Sequence, residues 1–253
     1  MNALGKVERL LLDRIREEGA IHLTLIDPEE VSLKDVAELS KVLAAAGTTG
    51  VMVGGSTLAS TSQLDEVVKA LKERVNFPVV LFPNNVTAIS RYADAIWFMS
   101  LLNSNNPMFI TGYQALGAPI IKRYGLEAIP MGYIIVGEGS TAAYIGQAHG
   151  IPFKKPEVAA LYALAAQYIG MRFVYLEAGS GAETSVPPDM VRHVASMVDI
   201  PIIVGGGIRT PEDAARIVKA GASIIVTGTI GEEDPSGETV RRIIEGIKGS
   251  GVR

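Results

Sequence analysis

Three side chains that could do chemistry follow apolar runs of this sequence: Asp27, Ser56 and Glu177. If the runs are parallel strands, their carboxyl ends meet at one face, and polar residues at those ends come together. Asp27 and Ser56 follow neighbouring runs and could share one Mg²⁺ ion. That cation takes one or two carboxylates and completes its octahedron with hydroxyls, waters and phosphate oxygens. Alternatively, Asp27 does no more than cap the loop that follows it.

Glycine-rich stretches end the last three apolar runs, at 174–181, 202–207 and 224–229. Bare backbone lets N–H groups converge on an anion, and a helix that begins just beyond adds its dipole. The predicted phosphate site comprises the backbone of residues 179–181 and 205–207 together with Gly228. Glu177 borders this site and could accept a proton from a substrate hydroxyl. Alternatively, Glu177 orients a loop amide.

The elements that must position these residues are eight apolar runs alternating with helical patterns over 253 residues. This order and length predict the α/β fold class, a (β/α)8 TIM barrel that forms a single domain over 1–253. Segment 86–94 is too short for a barrel helix with its loops, so the helix after strand 3 should be trimmed or replaced. An open, doubly wound sheet is the competing architecture.

Composition and missing motifs exclude several functions. The net charge of −4 and the lack of a basic stripe argue against nucleic-acid binding. The absence of cysteine excludes thiolate chemistry and fits a cytoplasmic chain. No apolar run approaches the roughly 20 residues that cross a bilayer, so we expect no transmembrane segment. The P-loop pattern is absent, and no G-x-G-x-x-G opens a helix after a strand, which argues against P-loop kinases and dinucleotide binding.

The middle of the chain is rich in large aromatic and apolar residues, among them Trp97 and Tyr133. Most of them should be ordinary core residues. The enrichment nevertheless exceeds what a sugar-phosphate site needs, and a long apolar substrate would require a groove of this kind.

Several segments, spread over all the predicted strands but one, resemble the geranylgeranylglyceryl phosphate synthase family. The combination of Asp-Pro, Gly-Gly-Ser and Tyr-Leu-Glu with Gly-Ser-Gly is specific, whereas glycine-rich strand ends alone would fit many barrels. The matching segments are His-Leu-Thr-Leu-Ile-Asp-Pro at 22–28, Gly-Gly-Ser at 54–56, Phe-Pro-Asn at 82–84, Leu-Leu-Asn-Ser at 101–104, Tyr-Leu-Glu-Ala-Gly-Ser-Gly at 175–181, Val-Gly-Gly-Gly-Ile at 204–208 and Val-Thr-Gly-Thr at 226–229.

The resemblance implies a Mg²⁺-dependent prenyltransferase that joins geranylgeranyl diphosphate to the 3-hydroxyl of sn-glycerol 1-phosphate and releases diphosphate. This reaction is the first ether-bond step of membrane phospholipid biosynthesis. The resemblance also implies a homo-oligomer built from dimers, and the chain is similar to the hexameric members of the family.

Residue by residue, the resemblance implies Mg²⁺ on Asp27 and Ser56 and a catalytic base at Glu177. Trp97 would close the far end of the prenyl groove, which Tyr133 would also line. Glycerol 1-phosphate would lie on the ends of the last three strands, at Tyr175, Leu176, Glu177, Ala178, Gly179, Ser180, Gly181, Gly205, Gly206, Gly228 and Thr229.

Two other functions stay open. A different phosphate-binding barrel enzyme, such as a sugar-phosphate isomerase or lyase, would need a second acid/base group, and only Glu138 offers one. A non-catalytic barrel could instead bind a phosphorylated lipid or serve as an assembly scaffold. The sequence contains no Asp-Asp-x-x-Asp, which argues against the helical prenyl synthases.

Overall fold

A computed structural model describes residues 4–228, 234 and 236–252, and within it eight parallel strands close into a barrel. The strands are β1 Ile21–Ile26, β2 Gly50–Val53, β3 Val79–Leu81, β4 Ala95–Leu101, β5 Glu127–Ile135, β6 Phe173–Glu177, β7 Ile202–Gly205 and β8 Ile224–Thr227. Each strand pairs with the next, and β8 pairs with β1, with Val226 opposite Leu23. The predicted barrel is therefore confirmed, and the open sheet is excluded.

Helices cover the barrel between most strands. They are α1 Lys6–Glu18, α2 Leu33–Ala46, α3 Thr61–Lys72, a π-helix Met108–Gly112, α4 Tyr113–Tyr124, α5 Thr141–Ile145, α6 Pro156–Ile169, α7 Pro188–Ala195, α8 Pro211–Lys219 and α9 Glu238–Lys248. Local sequence sets their ends. At α2, Ser32 and Asp35 form a reciprocal capping box, and Gly47 ends the helix with a φ of 85°. None of the described helices is both long enough and apolar enough to span a bilayer.

The connection from β3 to β4, residues 82–94, contains no helix, which confirms the predicted trimming. Asp94 fixes the end of this connection. Its carboxylate accepts hydrogen bonds from Lys72 Nζ at 2.7 Å and from the Val79 N–H at 2.8 Å. No helix covers β4 at this point. The cavity described below extends along this side of β4, past Ile96 and Phe98.

Side chains alternate between the barrel interior and the layer under the helices. On β6, Phe173 and Tyr175 face the interior, whereas Val174 and Leu176 pack in the outer layer. Helix α1 packs against the interior cluster through Val7 and Leu11, at the amino-terminal end of the strands. Helix α1 therefore covers that end of the barrel interior.

Candidate active site

A cavity of about 460 Å³ lies at the carboxyl ends of the strands. It is lined by all three side chains that the sequence singled out for chemistry, Asp27, Ser56 and Glu177. Its polar part is lined by Asp27, Ser56, Glu177, Ser180 and Gly228. These residues come from β1, β2, β6 and β8 and from the loops that follow them. The predicted metal ligands Asp27 and Ser56 thus line the same cavity as the predicted base Glu177. Among the described residues, the predicted glycerol 1-phosphate contacts that do not line it are Tyr175, Leu176, Ala178, Gly179, Gly181, Gly205 and Gly206.

Asp27 holds the loop after β1 and also faces the loop after β2. Its Oδ1 accepts a hydrogen bond from the Glu29 N–H at 2.9 Å, so the predicted capping role is present. Its Oδ2 lies against Gly55, where any Cβ would overlap the carboxylate. Burial is the largest influence on the pKa of the Asp27 carboxyl and raises it; the Glu29 N–H acts in the opposite direction, and the charges of Glu30 and Glu29 raise the pKa further.

The loops that carry Asp27 and Ser56 are braced against each other. The Glu29 carboxylate accepts hydrogen bonds from Thr57 Oγ1 at 3.1 Å and from the Ala59 N–H at 3.3 Å. Gln63 Nε2 donates to the Pro28 carbonyl at 2.8 Å. These contacts hold the first two strand ends in one arrangement before any ligand binds.

Asp27 and Ser56 fit the Mg²⁺ ion that the family resemblance implies. The carboxylate has one oxygen that no loop amide occupies, and burial disfavours its charge in the absence of a cation. Among the described residues there is no group of three or more His, Asp or Glu side chains that could hold a metal alone. A cation at this position would therefore take most of its ligands from bound phosphate oxygens and water, as Mg²⁺ commonly does.

Glu177 ends β6 and is 5% exposed. Its Oε1 accepts a hydrogen bond from the Gly179 N–H at 2.6 Å, so the predicted loop-orienting role is present as well. Burial raises the pKa of the Glu177 carboxyl, while the Gly179 N–H and the nearby hydroxyls of Tyr175 and Tyr133 act in the opposite direction. A buried carboxylate with a raised pKa is suited to taking a proton near neutral pH.

An aromatic cluster of Phe82, Tyr133 and Tyr175 lies beneath Glu177, with ring centroids 5.3 to 5.6 Å apart. The Tyr175 hydroxyl is close to the Glu177 carboxylate but makes no hydrogen bond of standard geometry to any described residue. Tyr175 does not line the cavity, whereas Glu177 and Tyr133 do, so a ligand at this end would meet the Glu177 carboxylate.

Glycines after β6 and β7 make room for this arrangement. A Cβ at Gly205 would overlap the Tyr175 hydroxyl. Gly206 has a φ of 85°, and a Cβ there would lie 2.6 Å from both Glu177 Oε1 and the Gly179 amide nitrogen. Any side chain at Gly205 or Gly206 would displace the groups that orient Glu177.

The other predicted acceptor-side residues are placed differently. Ser180 and Gly228 line the cavity, whereas Leu176 and Ala178 bury their side chains in the outer layer. A ligand contact at Leu176 or Ala178 would have to come from the main chain. Thr229 lies outside the described residues.

The apolar part of the cavity extends from the barrel interior to the outer side of β4. Trp97 and Tyr133 both line it, and Trp97 packs edge-on against Phe173 with centroids 5.2 Å apart. The outer wall also contains residues that were not predicted to line a groove: Val86, Ile89, Ile96, Gly117 and Ile121. In sequence these residues look like ordinary core residues; the only signal was the shortened connection after β3, which exposes this side of β4.

Comparisons with known proteins show to which family the chain belongs. The model of the PcrB family matches residues 13–247. The geranylgeranylglyceryl phosphate synthase of Thermofilum pendens is 54% identical over 245 residues, 96% of each chain. The enzyme of that name from Thermococcus gammatolerans is 53% identical over 253 residues, the whole of both chains.

A solved structure of a geranylgeranylglyceryl phosphate synthase is also similar to this chain. The crystal structure of (S)-3-O-geranylgeranylglyceryl phosphate synthase from Thermoplasma acidophilum, in complex with its substrate sn-glycerol-1-phosphate, has a TM-score of 0.92 at 42% identity. The comparison covers 98% of this chain and 100% of that one. The chain therefore belongs to the PcrB family, the family of the geranylgeranylglyceryl phosphate synthases, and is a prenyltransferase.

Proposed function

We propose that the chain transfers the geranylgeranyl group of geranylgeranyl diphosphate to the 3-hydroxyl of sn-glycerol 1-phosphate. The products would be 3-O-(geranylgeranyl)glyceryl phosphate and diphosphate, and the reaction would depend on Mg²⁺. The observation that carries the proposal is one cavity that is lined by Asp27 with Ser56, by Glu177 with Ser180 and Gly228, and by a set of large apolar side chains. The names of the relatives support the same reaction.

On the donor side, Asp27 and Ser56 would hold Mg²⁺ against the diphosphate. When bound, the ion neutralises the charge that grows on the departing diphosphate. The residues around Trp97 would hold the prenyl chain extended and keep water away from its reactive carbon. Exclusion of water matters because water would otherwise compete with the acceptor hydroxyl for that carbon.

On the acceptor side, the glycine backbone after β6, β7 and β8 would hold the phosphate, which places the 3-hydroxyl near Glu177. The hydroxyl oxygen forms a bond to the first prenyl carbon as the bond from that carbon to the diphosphate breaks. The Glu177 carboxylate takes the hydroxyl proton. The Gly179 N–H keeps Glu177 fixed during this transfer, because it already binds Oε1 at 2.6 Å.

The two alternative functions have less support. An isomerase or lyase would need Glu138 as a second acid/base group, but Glu138 is exposed and does not line the cavity. A non-catalytic lipid-binding barrel or scaffold would not need a buried carboxylate with a raised pKa in its cavity.

The proposal is tested by incubating the protein with Mg²⁺, geranylgeranyl diphosphate and sn-glycerol 1-phosphate, and measuring the product by mass spectrometry. We expect the ether with sn-glycerol 1-phosphate, little of it with the enantiomeric sn-glycerol 3-phosphate, and none once the cation is chelated. Binding of both substrates without an ether would favour the scaffold. A protein that neither binds nor reacts with prenyl diphosphates of any length would contradict the proposal.

We also infer a homo-oligomer built from dimers. Its support is a set of large apolar side chains exposed on α6, where Leu161, Tyr168 and Ile169 are 63%, 78% and 70% exposed. Light scattering at several protein concentrations measures the mass of the particle, and a monomer at micromolar concentration would contradict the inference.

A further inference from the structure

Asn84 ties the end of β3 to the loop that carries Ser56. It follows β3 by three residues and lines the cavity. Its Nδ2 donates one hydrogen bond to the Ser56 carbonyl at 3.0 Å and another to the Leu58 carbonyl at 3.1 Å. One side chain thus fixes the backbone on both sides of Thr57.

The two carbonyls also fix which way the Asn84 amide points. The opposite orientation would set Oδ1 against two carbonyl oxygens, and three acceptors cannot bond to one another. Both N–H groups of the amide are therefore used, and Oδ1 is left as an acceptor. It is buried and has no hydrogen-bond partner among the described residues.

Oδ1 has no surface that a water molecule can reach, so Asn84 acts on the site through Nδ2. The two carbonyls that Nδ2 binds belong to the loop that carries Ser56, and both Ser56 and Asp27 line the cavity.

We propose that Asn84 is a positioning residue of the donor site. Its two Nδ2 hydrogen bonds hold the loop so that Ser56 faces the cation. This inference rests on the proposed function, because it assumes that the donor diphosphate binds with Mg²⁺ at Asp27 and Ser56.

The test uses Asn84→Ala and Asn84→Leu in the full chain; the second variant keeps most of the side-chain volume. Calorimetry measures the affinity for inorganic diphosphate with Mg²⁺ and, separately, for sn-glycerol 1-phosphate, while steady-state kinetics gives KM for each substrate. Thr61→Val is the matched control. Thr61 Oγ1 donates to the Thr87 carbonyl at 2.7 Å and links the same two connections, but Thr61 does not line the cavity.

Both Asn84 variants should weaken the affinity for Mg²⁺-diphosphate and raise KM for geranylgeranyl diphosphate by about tenfold, with sn-glycerol 1-phosphate affinity changed less than about twofold. Thr61→Val should change neither. Folded Asn84 variants that bind Mg²⁺-diphosphate like wild type, or that lose both ligands equally, would overturn the role of Asn84. A wild-type protein that neither binds Mg²⁺-diphosphate nor forms the ether would contradict the proposed function itself.

Discussion

At the residue scale, Asp27 and Glu177 each bind a loop amide and also face the cavity. From the sequence, the loop contact and the role in the site were alternatives. One carboxylate oxygen of each accepts a backbone N–H, from Glu29 and from Gly179, respectively. Both side chains also line the cavity. A carboxylate that is fixed by one oxygen is better suited to chemistry than a mobile one, because less order has to be gained when the substrate binds.

Glu177→Gln should lower kcat by about 10² to 10⁴-fold, because the amide cannot take the hydroxyl proton. Its carbonyl oxygen can still accept the Gly179 N–H, so the loop should hold and the affinity for sn-glycerol 1-phosphate should change little. Steady-state rates and calorimetry with that ligand measure the two effects separately. Turnover equal to wild type would remove Glu177 from its role as base.

Replacing Trp97 by Leu should admit longer prenyl chains, because the indole lines the apolar part of the cavity. Trp97 is also fully buried against Phe173, so the variant should lose stability, by about 3 kcal/mol. Competition between geranylgeranyl and longer diphosphates, read out by product mass, measures the preference. An unchanged length profile in a folded variant would argue that another residue ends the groove.

At the element scale, the strands and most helices could be predicted because each has its own local signal. Apolar runs mark the strands, and capping residues such as Ser32 and Gly47 mark the ends of α2. Strand β5 begins at Glu127 and continues through Pro130. Proline has no N–H to donate, but the Pro130 carbonyl accepts the Arg172 N–H at 3.0 Å and continues the ladder.

The π-helix before α4 could not be predicted in the same way. Two side chains outside it bind its carbonyls: Ser100 Oγ donates to the Ile110 carbonyl at 2.7 Å, and Gln114 Nε2 donates to the Phe109 carbonyl at 3.2 Å. A pattern of apolar residues does not distinguish a π turn from an α turn. Most of the outer wall of the candidate site was not predicted for the same reason, since its side chains meet only after folding.

Strands β1 and β8 are joined by a buried polar cluster centred on His22, whose ring nitrogens lie 3.0 Å from Thr48 Oγ1 and 2.8 Å from Thr227 Oγ1. Burial lowers the pKa of His22 to about 3 from its ordinary 6.5. Between these two pH values the unfolded chain binds a proton that the folded chain does not. The free energy of unfolding should therefore fall as pH drops below 6.5, by up to ~4 kcal/mol near pH 3.

His22→Gln should flatten this pH dependence, although it should lower stability at pH 7. Urea unfolding at pH 7 and pH 5 measures the difference, and His193→Gln is the control because His193 is exposed on α7. A His22→Gln variant whose stability falls with pH as steeply as wild type would show that other groups cause the acid sensitivity.

At the scale of the whole molecule, a barrel without a helix between β3 and β4 becomes a site for two unlike substrates. The glycine-rich ends of β6, β7 and β8 suit a small phosphate, as they would in many barrels. The gap beside β4 lets the same cavity reach apolar residues of α4, such as Gly117 and Ile121. The short connection after β3 predicted that a helix is missing. Which residues line the cavity could not be predicted, because they come together only in the folded chain.

The central claim is that one cavity brings the 3-hydroxyl of glycerol phosphate to the first carbon of the prenyl group. The most direct test uses sn-glycerol 1-phosphate carrying ¹⁸O in its 3-hydroxyl, with unlabelled geranylgeranyl diphosphate and Mg²⁺, and measures both products by mass spectrometry. We predict that the ether retains all of the label and the released diphosphate contains none. Prenyl alcohol without a labelled ether, or no prenyl product at all, would contradict the account.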